Sequence, residues 1–318
     1  MSMEVLASAG AVLLSLVLAP LLSGIINRVK AIVGGRRGKP LLQLYYDIAK
    51  LLAKSPVYSH TCSPFFVLAP VAGLGAVVIA LLLLPFGSLP ALFGFPGDFV
   101  LLGGLFALSR FTLILAALDT GSAFEGMGAA REGMFSSLTE PLFLFCLLIL
   151  GIQSGQFSLS GMLGSVEPAL WKANWPFYLM LSLAVFLLLL PENCRIPVDD
   201  PNTHLELTMI HEVMILDHSG PDLALLEYAA ALKLWLFSMI IAGLLLPAAE
   251  GGLFGPLGFS GGFGTVAAVL LTLLCIAAVA VCVGLVESLM ARVRMERVPQ
   301  VLTLAGSFIC LAALSLWR

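Results

Sequence analysis

The chain of 318 residues is 60% hydrophobic and only 11% charged, with a mean hydropathy of +1.05. Soluble domains contain about 25% charged residues, so the composition excludes an ordinary soluble enzyme and predicts an all-α polytopic membrane protein in contact with the lipid bilayer. A formal net charge of −3 gives no basic surface for nucleic acid. We expect one integral membrane domain over residues 1–318.

Eight apolar segments predict transmembrane helices. The first, Val5–Ile26, is followed rather than preceded by basic residues, which distinguishes it from a signal peptide. The other seven are predicted at Phe65–Leu84, Phe99–Leu118, Pro141–Ile152, Pro176–Leu190, Leu226–Leu246, Thr265–Val286 and Val301–Leu316.

Positive charge lies mainly on one side of these spans. The loops after the first, third, fifth and seventh spans contain twelve of the sixteen Lys and Arg residues. Cytoplasmic loops are rich in Lys and Arg, so these loops are predicted to be cytoplasmic, with both termini outside the inner (plasma) membrane. The functional loops on this side are 27–60, 119–140, 191–228 and 287–299, and the opposite side has Gly- and Pro-rich connectors at Phe86–Pro96 and Ala248–Gly262.

The segment Leu41–Lys54 has an amphipathic pattern. Its polar side is formed by Gln43, Asp47, Lys50 and Lys54, at spacings of three and four residues. The segment is too short and too charged to span the bilayer, so it is predicted to be a helix in the membrane interface. Its polar stripe serves either as a surface anchor or as a contact for a soluble partner.

Two basic residues, Arg110 and Lys233, fall inside predicted spans, each about nine residues from the cytoplasmic end, or roughly 14 Å deep. A charge at that depth normally has a partner and a role. It indicates either a structural ion pair or a charged pathway for protons or sodium ions. The candidate partners are Asp119, Glu125, Glu140, Glu206 and Glu287.

The 119–140 loop contains several glycines and five charged residues, which predicts a structured loop facing a cavity. The 191–228 loop contains three of the four histidines and eight of the nineteen acidic residues. If residues 204–217 form a helix, His204, His211 and Glu212 share one face, and Glu206 points to the apolar side. Burial would raise the pKa of Glu206 toward neutrality, which suits proton exchange.

Metal and redox cofactors are not predicted in this chain. The sequence His-Glu-Val-Met at 211–214 lacks the second histidine of a zinc helix. The six cysteines are scattered, with neither a CxxC pair nor the spacing of an iron–sulfur site.

Three motifs together resemble the respiratory complex I subunit 1 family. They are GRRGKPLLQLYYDIAKLL, LDTGSAFEGMGAAREGM with the later TEP, and RIPVDDPNTHLELTMIHEVMILDHSGPDLALLEYA. The chain is most similar to the branch found in membrane-bound group 4 nickel–iron hydrogenases of the formate hydrogenlyase and hydrogenase-4 type. The resemblance covers nearly the whole chain.

This resemblance implies eight transmembrane helices and a non-catalytic subunit that anchors a soluble redox arm and couples electron transfer to proton or sodium translocation. Iron–sulfur clusters, with or without nickel–iron, are then expected in soluble hydrogenase-like partners, alongside antiporter-like membrane partners. The implied ion path includes Asp199, Glu206 and Glu227, with Glu140 at the fourth span; Glu212, Arg110 and Lys233 are further candidates for coupling. The implied docking residues are Arg36, Arg37, Gln43, Asp47 and Lys50.

The quinone-reducing members of the family differ at two places. They have an Asn-Arg-Val-Gly-Pro insertion where Pro40 directly follows Lys39 here, and a Pro-Glu-Ala-Glu run where this chain has Asn202-Thr203-His204. These differences argue against a quinone site. Two alternatives stay open: a quinone-chamber subunit, which bound quinone would favour, and a transporter or scaffold, for which the sequence shows no internal repeat.

The charge distribution generates a topology prediction. In a background without native cysteines, Ser59→Cys and Gly258→Cys should react with an impermeant thiol reagent from opposite sides of sealed vesicles, because the two loops differ in Lys and Arg content. Reaction of both cysteines from the same side would contradict the eight-span arrangement.

Overall fold

A computed structural model of the chain describes residues 3–164, 168–199, 209–246 and 262–316. In chain order, its helices are α1 (Met3–Val33), α2 (Gln43–Leu52), α3 (Pro64–Leu83), α4 (Asp98–Asp119), α5 (Ala123–Ser154), α6 (Leu159–Gly164), α7 (Pro168–Ala173), α8 (Trp175–Glu192), α9 (His211–Met214), α10 (Pro221–Leu245), α11 (Gly262–Leu289) and α12 (Val298–Ser315). A 3₁₀ turn, Met295–Arg297, precedes α12.

Within these ranges eight helices are long and apolar enough to cross a membrane: α1, α3, α4, α5, α8, α10, α11 and α12. The predicted all-α polytopic fold is therefore confirmed. The connector Phe86–Pro96 joins α3 to α4. Most of the connector Ala248–Gly262, including Gly258, lies outside the described residues.

The predicted start of the fourth span is wrong. Helix α5 begins at Ala123 and continues through Pro141, so the stretch 123–140 is helical rather than a loop. Proline lacks an N–H and costs one helical hydrogen bond, but here it does not end the helix. The acidic residues of that stretch are tolerated because Glu125 and Glu132 are buried within protein instead of facing lipid.

Helix α10 is the centre of the bundle and contacts α1, α3, α8 and α11. Apolar residues surround its whole circumference, as expected for a helix enclosed by protein. The Phe237 ring centroid lies 5.2 Å from that of Phe106 on α4 and 5.1 Å from that of Phe143 on α5. Phe106 also lies 5.8 Å from Nζ of Lys233. The aromatic core therefore borders a buried cation.

Close helix contacts occur where glycine leaves room. A Cβ atom on Gly128 of α5 would lie 2.7 Å from Cγ1 of Val213 and 2.9 Å from the Ile210 carbonyl oxygen. A Cβ atom on Gly284 of α11 would lie 2.9 Å from Cβ of Val29 on α1. These glycines let α9 lie directly on α5, and let α11 approach α1.

The interfacial helix predicted over 41–54 is shorter, spanning Gln43–Leu52, and none of its residues is buried. It lies against α1 and α10. The Tyr45 hydroxyl donates a hydrogen bond to the Val17 carbonyl of α1, and the Tyr228 hydroxyl of α10 donates one to the Leu16 carbonyl at 2.8 Å. Two tyrosines therefore fix α1 beside α2 and α10.

Candidate functional site: a buried charge cluster

Five charged side chains meet inside the bundle, and we call them the Arg110 cluster. Arg110 Nε lies 2.9 Å from Glu132 Oε1, and Arg110 Nη1 lies 2.6 Å from Glu140 Oε1. The remaining guanidinium nitrogen, Nη2, pairs with Glu192. Lys233 Nζ lies 2.8 Å from the same Glu192 carboxylate. The cluster thus joins α4, α5, α8 and α10.

The end of α8 positions Glu192. Cys194 adopts a left-handed conformation, with φ of 49°. Its N–H donates to the Pro191 carbonyl, and the Arg195 N–H donates to the Leu190 carbonyl at 2.8 Å, which is the Schellman pattern that closes a helix. A carboxylate at a helix C-terminus faces the negative end of the helix dipole. Arg110 and Lys233 compensate Glu192 for both this dipole and its burial.

The Arg110 cluster contains three carboxylates and two cations, so its formal charge is −1 when all are ionised. The side chains of Arg110 and Glu192 are 4% and 2% exposed. Glu140 differs, because its side chain is 33% exposed and it contacts only Arg110 among the described basic residues. One added proton would neutralise the cluster, and Glu140 is the most accessible carboxylate for it.

A second group of acidic residues lies in the connection between α8 and α10. The Asp199 carboxylate accepts hydrogen bonds from the N–H groups of Ile210, at 3.2 Å, and His211, at 3.1 Å. Arg292 Nη2 lies 3.6 Å from Asp199 Oδ1. Burial raises the pKa of Asp199, whereas the His211 N–H and Arg292 oppose that rise. Asp199 therefore holds the start of α9 against the segment that follows α8.

Glu212, on α9, is the group best suited to exchange protons near neutral pH. Burial raises the pKa of Glu212 to about 7, and the carboxylates of Glu227 and Asp199 contribute to the rise. Arg195 acts in the opposite direction. At pH 7 this carboxylate is therefore poised between its charged and neutral forms.

The described histidines of this connection are less suited to carry protons at neutral pH. Burial lowers the pKa of His211 to about 4, assisted by Lys233 and Arg195 and opposed by Asp199. Burial also lowers the pKa of His218 to about 4. The His218 ring stacks on Phe66 with 4.0 Å between centroids. Both imidazoles are therefore neutral at pH 7, and His218 acts as a packing residue.

Cys194 lies between the two acidic groups. Its Sγ is 3.9 Å from Glu132 Oε2 of the Arg110 cluster. Burial, followed by the negative charges of Glu132 and Asp199, raises the pKa of the Cys194 thiol well above its usual value. The charges of Glu132 and Asp199 both act on this thiol. The Arg110 cluster and the acidic group around Asp199 therefore lie next to each other at Cys194.

A further ion-pair group links the connection to the ends of α1 and α11. Lys30 Nζ lies 2.8 Å from Glu287 Oε2, and Arg195 Nη1 lies 3.6 Å from Glu287 Oε1. The Glu287 carboxylate is fully buried at the end of α11. Arg195 therefore links the α8–α10 connection to α11 through Glu287, and to α1 through the Lys30 that shares this carboxylate.

The structure brings together only part of the residues predicted as partners of the buried cations. Glu140 contacts Arg110, and Glu287 instead contacts Lys30 and Arg195. Asp119 accepts a hydrogen bond from the Ser63 N–H, and Glu125 accepts one from the Asp217 N–H. Asp119, Glu125 and Glu287 are therefore wrong as partners of Arg110 or Lys233.

Sequence reasoning missed Glu132 and Glu192 as partners. Glu132 falls in the loop predicted over 119–140, whereas a helical reading of 123–140 places it two turns from Glu140, roughly 12 Å along the axis. Glu192 is the last residue of α8. It lies just beyond the predicted span Pro176–Leu190 and so falls in the predicted 191–228 loop.

The predicted helix over 204–217 is not continuous. Of the described residues 209–217 only His211–Met214 is helical, because the Asp199 carboxylate binds the Ile210 and His211 N–H groups and the helix starts there. Residues 204–208, with His204 and Glu206, lie outside the described residues. The prediction for Glu206 therefore stays a prediction.

The predicted docking residues lie just after the end of α1, at Arg36 and Arg37, and on α2, which packs against α1. Arg36, Arg37 and Lys50 are exposed. The Gln43 amide donates a hydrogen bond to Asp47 Oδ1 at 2.8 Å. Among the described residues, no group of three or more His, Cys, Asp or Glu side chains is arranged to hold a metal ion.

Comparison with known proteins agrees with the resemblance seen in the sequence. Formate hydrogenlyase subunit 4 of Escherichia coli (strain K12) is 28% identical over 298 residues, which is 94% of each chain. Hydrogenase-4 component C of the same organism is 32% identical and covers 76% of this chain and 75% of its own. A subunit of the NADH-quinone oxidoreductase of Verminephrobacter eiseniae (strain EF01-2) is 28% identical over 64% of this chain and 58% of its own.

A solved structure has the same fold. A chain from the structure of the membrane-bound sulfane sulfur reductase, an archaeal respiratory membrane complex, superposes with a TM-score of 0.77, at 19% identity, over 97% of this chain and 99% of that one. The family model described as NADH dehydrogenase matches residues 6–317. The chain therefore belongs to the NADH dehydrogenase subunit 1 family, with formate hydrogenlyase subunit 4 and hydrogenase-4 component C among its close homologues.

Proposed function

We propose that the protein is the membrane-anchor and coupling subunit of a redox-driven, proton-translocating respiratory complex. The relatives are named as subunits of formate hydrogenlyase and hydrogenase-4. The observation that carries the coupling role is the Arg110 cluster, with its unbalanced carboxylate, next to the acidic α8–α10 connection. In this proposal the chain binds no cofactor, and the redox centres belong to soluble iron–sulfur and hydrogenase-like partners.

Coupling then proceeds by electrostatics. A change of charge in the docked partner shifts the proton affinity of Glu212, whose pKa of about 7 makes it sensitive to small changes. The charge of Glu212 in turn acts on Asp199 and Glu132, the two carboxylates that lie close enough to Cys194 to affect its thiol. The Arg110 cluster responds by taking up or releasing a proton, for which Glu140 is the most exposed carboxylate. The change of charge in the Arg110 cluster would then act on the antiporter-like membrane partners.

The role of Glu140 is tested with Glu140→Gln. This change keeps the shape and a hydrogen-bond acceptor for Arg110 but removes the titrating group. We expect the complex to assemble and its redox centres to remain reducible, while proton translocation in sealed vesicles falls by about a hundredfold or more, as for the loss of a single proton-transfer group. Normal translocation by this variant would contradict the proposal.

Two controls separate coupling from stability. Glu192→Gln removes the charge shared by Arg110 and Lys233, so it should destabilise the chain by roughly 3–5 kcal/mol, as expected when a buried ion pair loses one partner, and lower the thermal midpoint. Glu296→Gln changes an exposed residue and should leave both readouts unchanged. If Glu140→Gln lowers the thermal midpoint as much as Glu192→Gln does, Glu140 stabilises the bundle and does not carry the coupling.

The proton affinity of Glu212 predicts a pH dependence. Its raised pKa means that the carboxylate is protonated below about pH 7 and loses the proton as the pH rises through that value. In the proposed mechanism the protonated carboxyl group passes the proton on, so wild-type translocation should decline between pH 6 and 8, following one group with an apparent pKa of about 7. Glu212→Gln should remove this inflection; an unchanged profile would exclude Glu212 as the titrating group.

Docking of the soluble arm is proposed for the surface formed by the end of α1 and by α2, on the side proposed to be cytoplasmic. Arg36, Arg37, Lys50 and Lys54 are exposed there. Tyr45 and Tyr228 hold the backbone of α1 in place behind this surface. Exposed charges contribute little to the stability of a bundle, whereas complementary charges orient a partner and increase its association rate.

Reversing the charges of α2 tests the docking surface. Lys50→Glu with Lys54→Glu should release the soluble arm at lower salt than in the wild type, while the thermal midpoint of the membrane subunit is unchanged. Retention of the arm on a salt-gradient column can be compared with that of a Lys172→Glu control, since Lys172 lies on α7, far along the chain from this surface. Equal retention of all three proteins would leave α2 as a membrane anchor only.

A further inference from the structure

A cleft at the start of α12 shares only Arg292, the partner of Asp199, with the proposed coupling mechanism. It has a volume of about 580 Å³ and is lined by Arg292, Val293, Arg294, Arg297, Gln300, Val301 and Leu304. Three guanidinium groups and one amide thus form its polar end, and three aliphatic side chains form the rest. Among the described residues, Arg294 and Arg297 form no ion pair with a carboxylate.

The basic end of the cleft lies where α12 enters the membrane. Helix α12 begins at Val298, immediately after Arg297, so the arginines are at the boundary of the apolar span. This is the side on which the ends of α1 and α11 are joined by Lys30 and Glu287. The first backbone N–H groups of α12 add positive potential at the same place.

An apolar strip continues from the arginines along α12. Val301, Leu304, Phe308 and Leu311 follow Arg297 at spacings of four and three, which place them on one side of a helix. Leu304 is 49% exposed and Leu311 is 48% exposed. Leu311 lies roughly 15 Å from Val301 along the helix axis, about the depth of one leaflet of a bilayer whose hydrocarbon core is about 30 Å thick.

The cleft is held in shape by the α8–α10 connection. The Val293 N–H donates to the Pro197 carbonyl at 2.9 Å. Arg292 reaches Asp199 at 3.6 Å. Because Arg292 is engaged with Asp199, Arg294 and Arg297 are the side chains left to bind a ligand. A fixed cleft reduces the ordering cost of binding.

We propose that this cleft is a binding site for an anionic phospholipid. The phosphate group lies between Arg294 and Arg297, with the Gln300 amide as a further donor, and one acyl chain follows the strip from Val301 to Leu311. Guanidinium groups bind phosphate oxygens with two parallel hydrogen bonds, and basic pockets beside transmembrane helices recognise such headgroups. This proposal depends on the chain spanning a membrane and not on its role in coupling.

The test measures lipid binding to the purified full-length chain by native mass spectrometry, with phosphatidylglycerol and phosphatidylcholine titrated separately. The wild type should bind one phosphatidylglycerol at least tenfold more tightly than phosphatidylcholine. Arg294→Gln with Arg297→Gln should lose that preference, since each basic residue near an anionic lipid contributes about fivefold. Arg28→Gln with Lys39→Gln removes the same charge from exposed positions on the same side and should keep it.

A conservative variant keeps the test independent of folding. Arg294→Lys with Arg297→Lys retains the charge and should retain most of the preference, whether or not the glutamine variant is stable. Equal binding of the two lipids by the wild type, or an unchanged preference in the glutamine variant, would overturn the proposal. So would complete competition by millimolar inorganic phosphate, because the site would then bind the free anion without the acyl chain.

A partner subunit is the other possible occupant, and the assembled complex distinguishes it. Gln300→Cys should react with a thiol reagent in the delipidated complex, and added phosphatidylglycerol should slow the reaction. If the cysteine is protected in the delipidated complex and reacts only in the isolated chain, a protein covers the cleft and the lipid assignment is wrong.

Discussion

The guanidinium group of Arg110 is the constraint on which the interior of this protein depends. A cation placed that far inside a membrane helix is costly unless its charge and its donors are satisfied. Three carboxylates, from Glu132, Glu140 and Glu192, surround it. They belong to two helices, α5 and α8, which must therefore lie beside α4 at fixed heights. Electrostatics sets the register that apolar packing between smooth helices leaves undetermined.

The same arrangement explains why α10 can contain Lys233. Its ammonium group shares Glu192 with Arg110 and lies over the Phe106 ring. The Glu192 carboxylate lies between two cations and is held strongly. Glu140 has a single cationic partner and is partly exposed, so it is held less strongly. The Arg110 cluster thus combines a rigid half that stabilises the bundle with a more accessible half suited to change protonation. That division is the physical basis of the proposed coupling role.

The fold was largely predictable from the sequence, and the site was predictable only in part. Hydrophobic length marks the spans without reference to their neighbours, so all eight were located. Hydropathy failed at 123–140, where Glu125, Arg131 and Glu132 suggested a loop although the backbone is helical. A carboxylate such as Glu132 lowers the apolar score of a segment, and only the position of Arg110 on another helix shows that its charge is compensated.

Partner choice was the least predictable feature. Asp119, Glu125 and Glu287 had the right charge to neutralise a buried cation, but local hydrogen bonds or other cations occupy them. Glu192 was hidden by its place at the end of α8, where the Schellman turn through Cys194 directs the chain away while the carboxylate stays inside. Which carboxylate pairs with a buried cation depends on how far each helix is shifted along the membrane normal relative to its neighbours. No local pattern in a single sequence gives that shift.

The ion pair between Lys30 and Glu287 has a consequence for biogenesis. Lys30 lies in the last turn of α1, whereas Glu287 lies near the end of α11, and five other described spans separate the two helices in the chain. During synthesis the lysine must remain hydrated at the membrane surface until α11 has been inserted. Only then do Glu287 and Gly284 dock against α1. The contact therefore acts as a late assembly step, and a chain truncated before α11 would leave its first helix without this attachment.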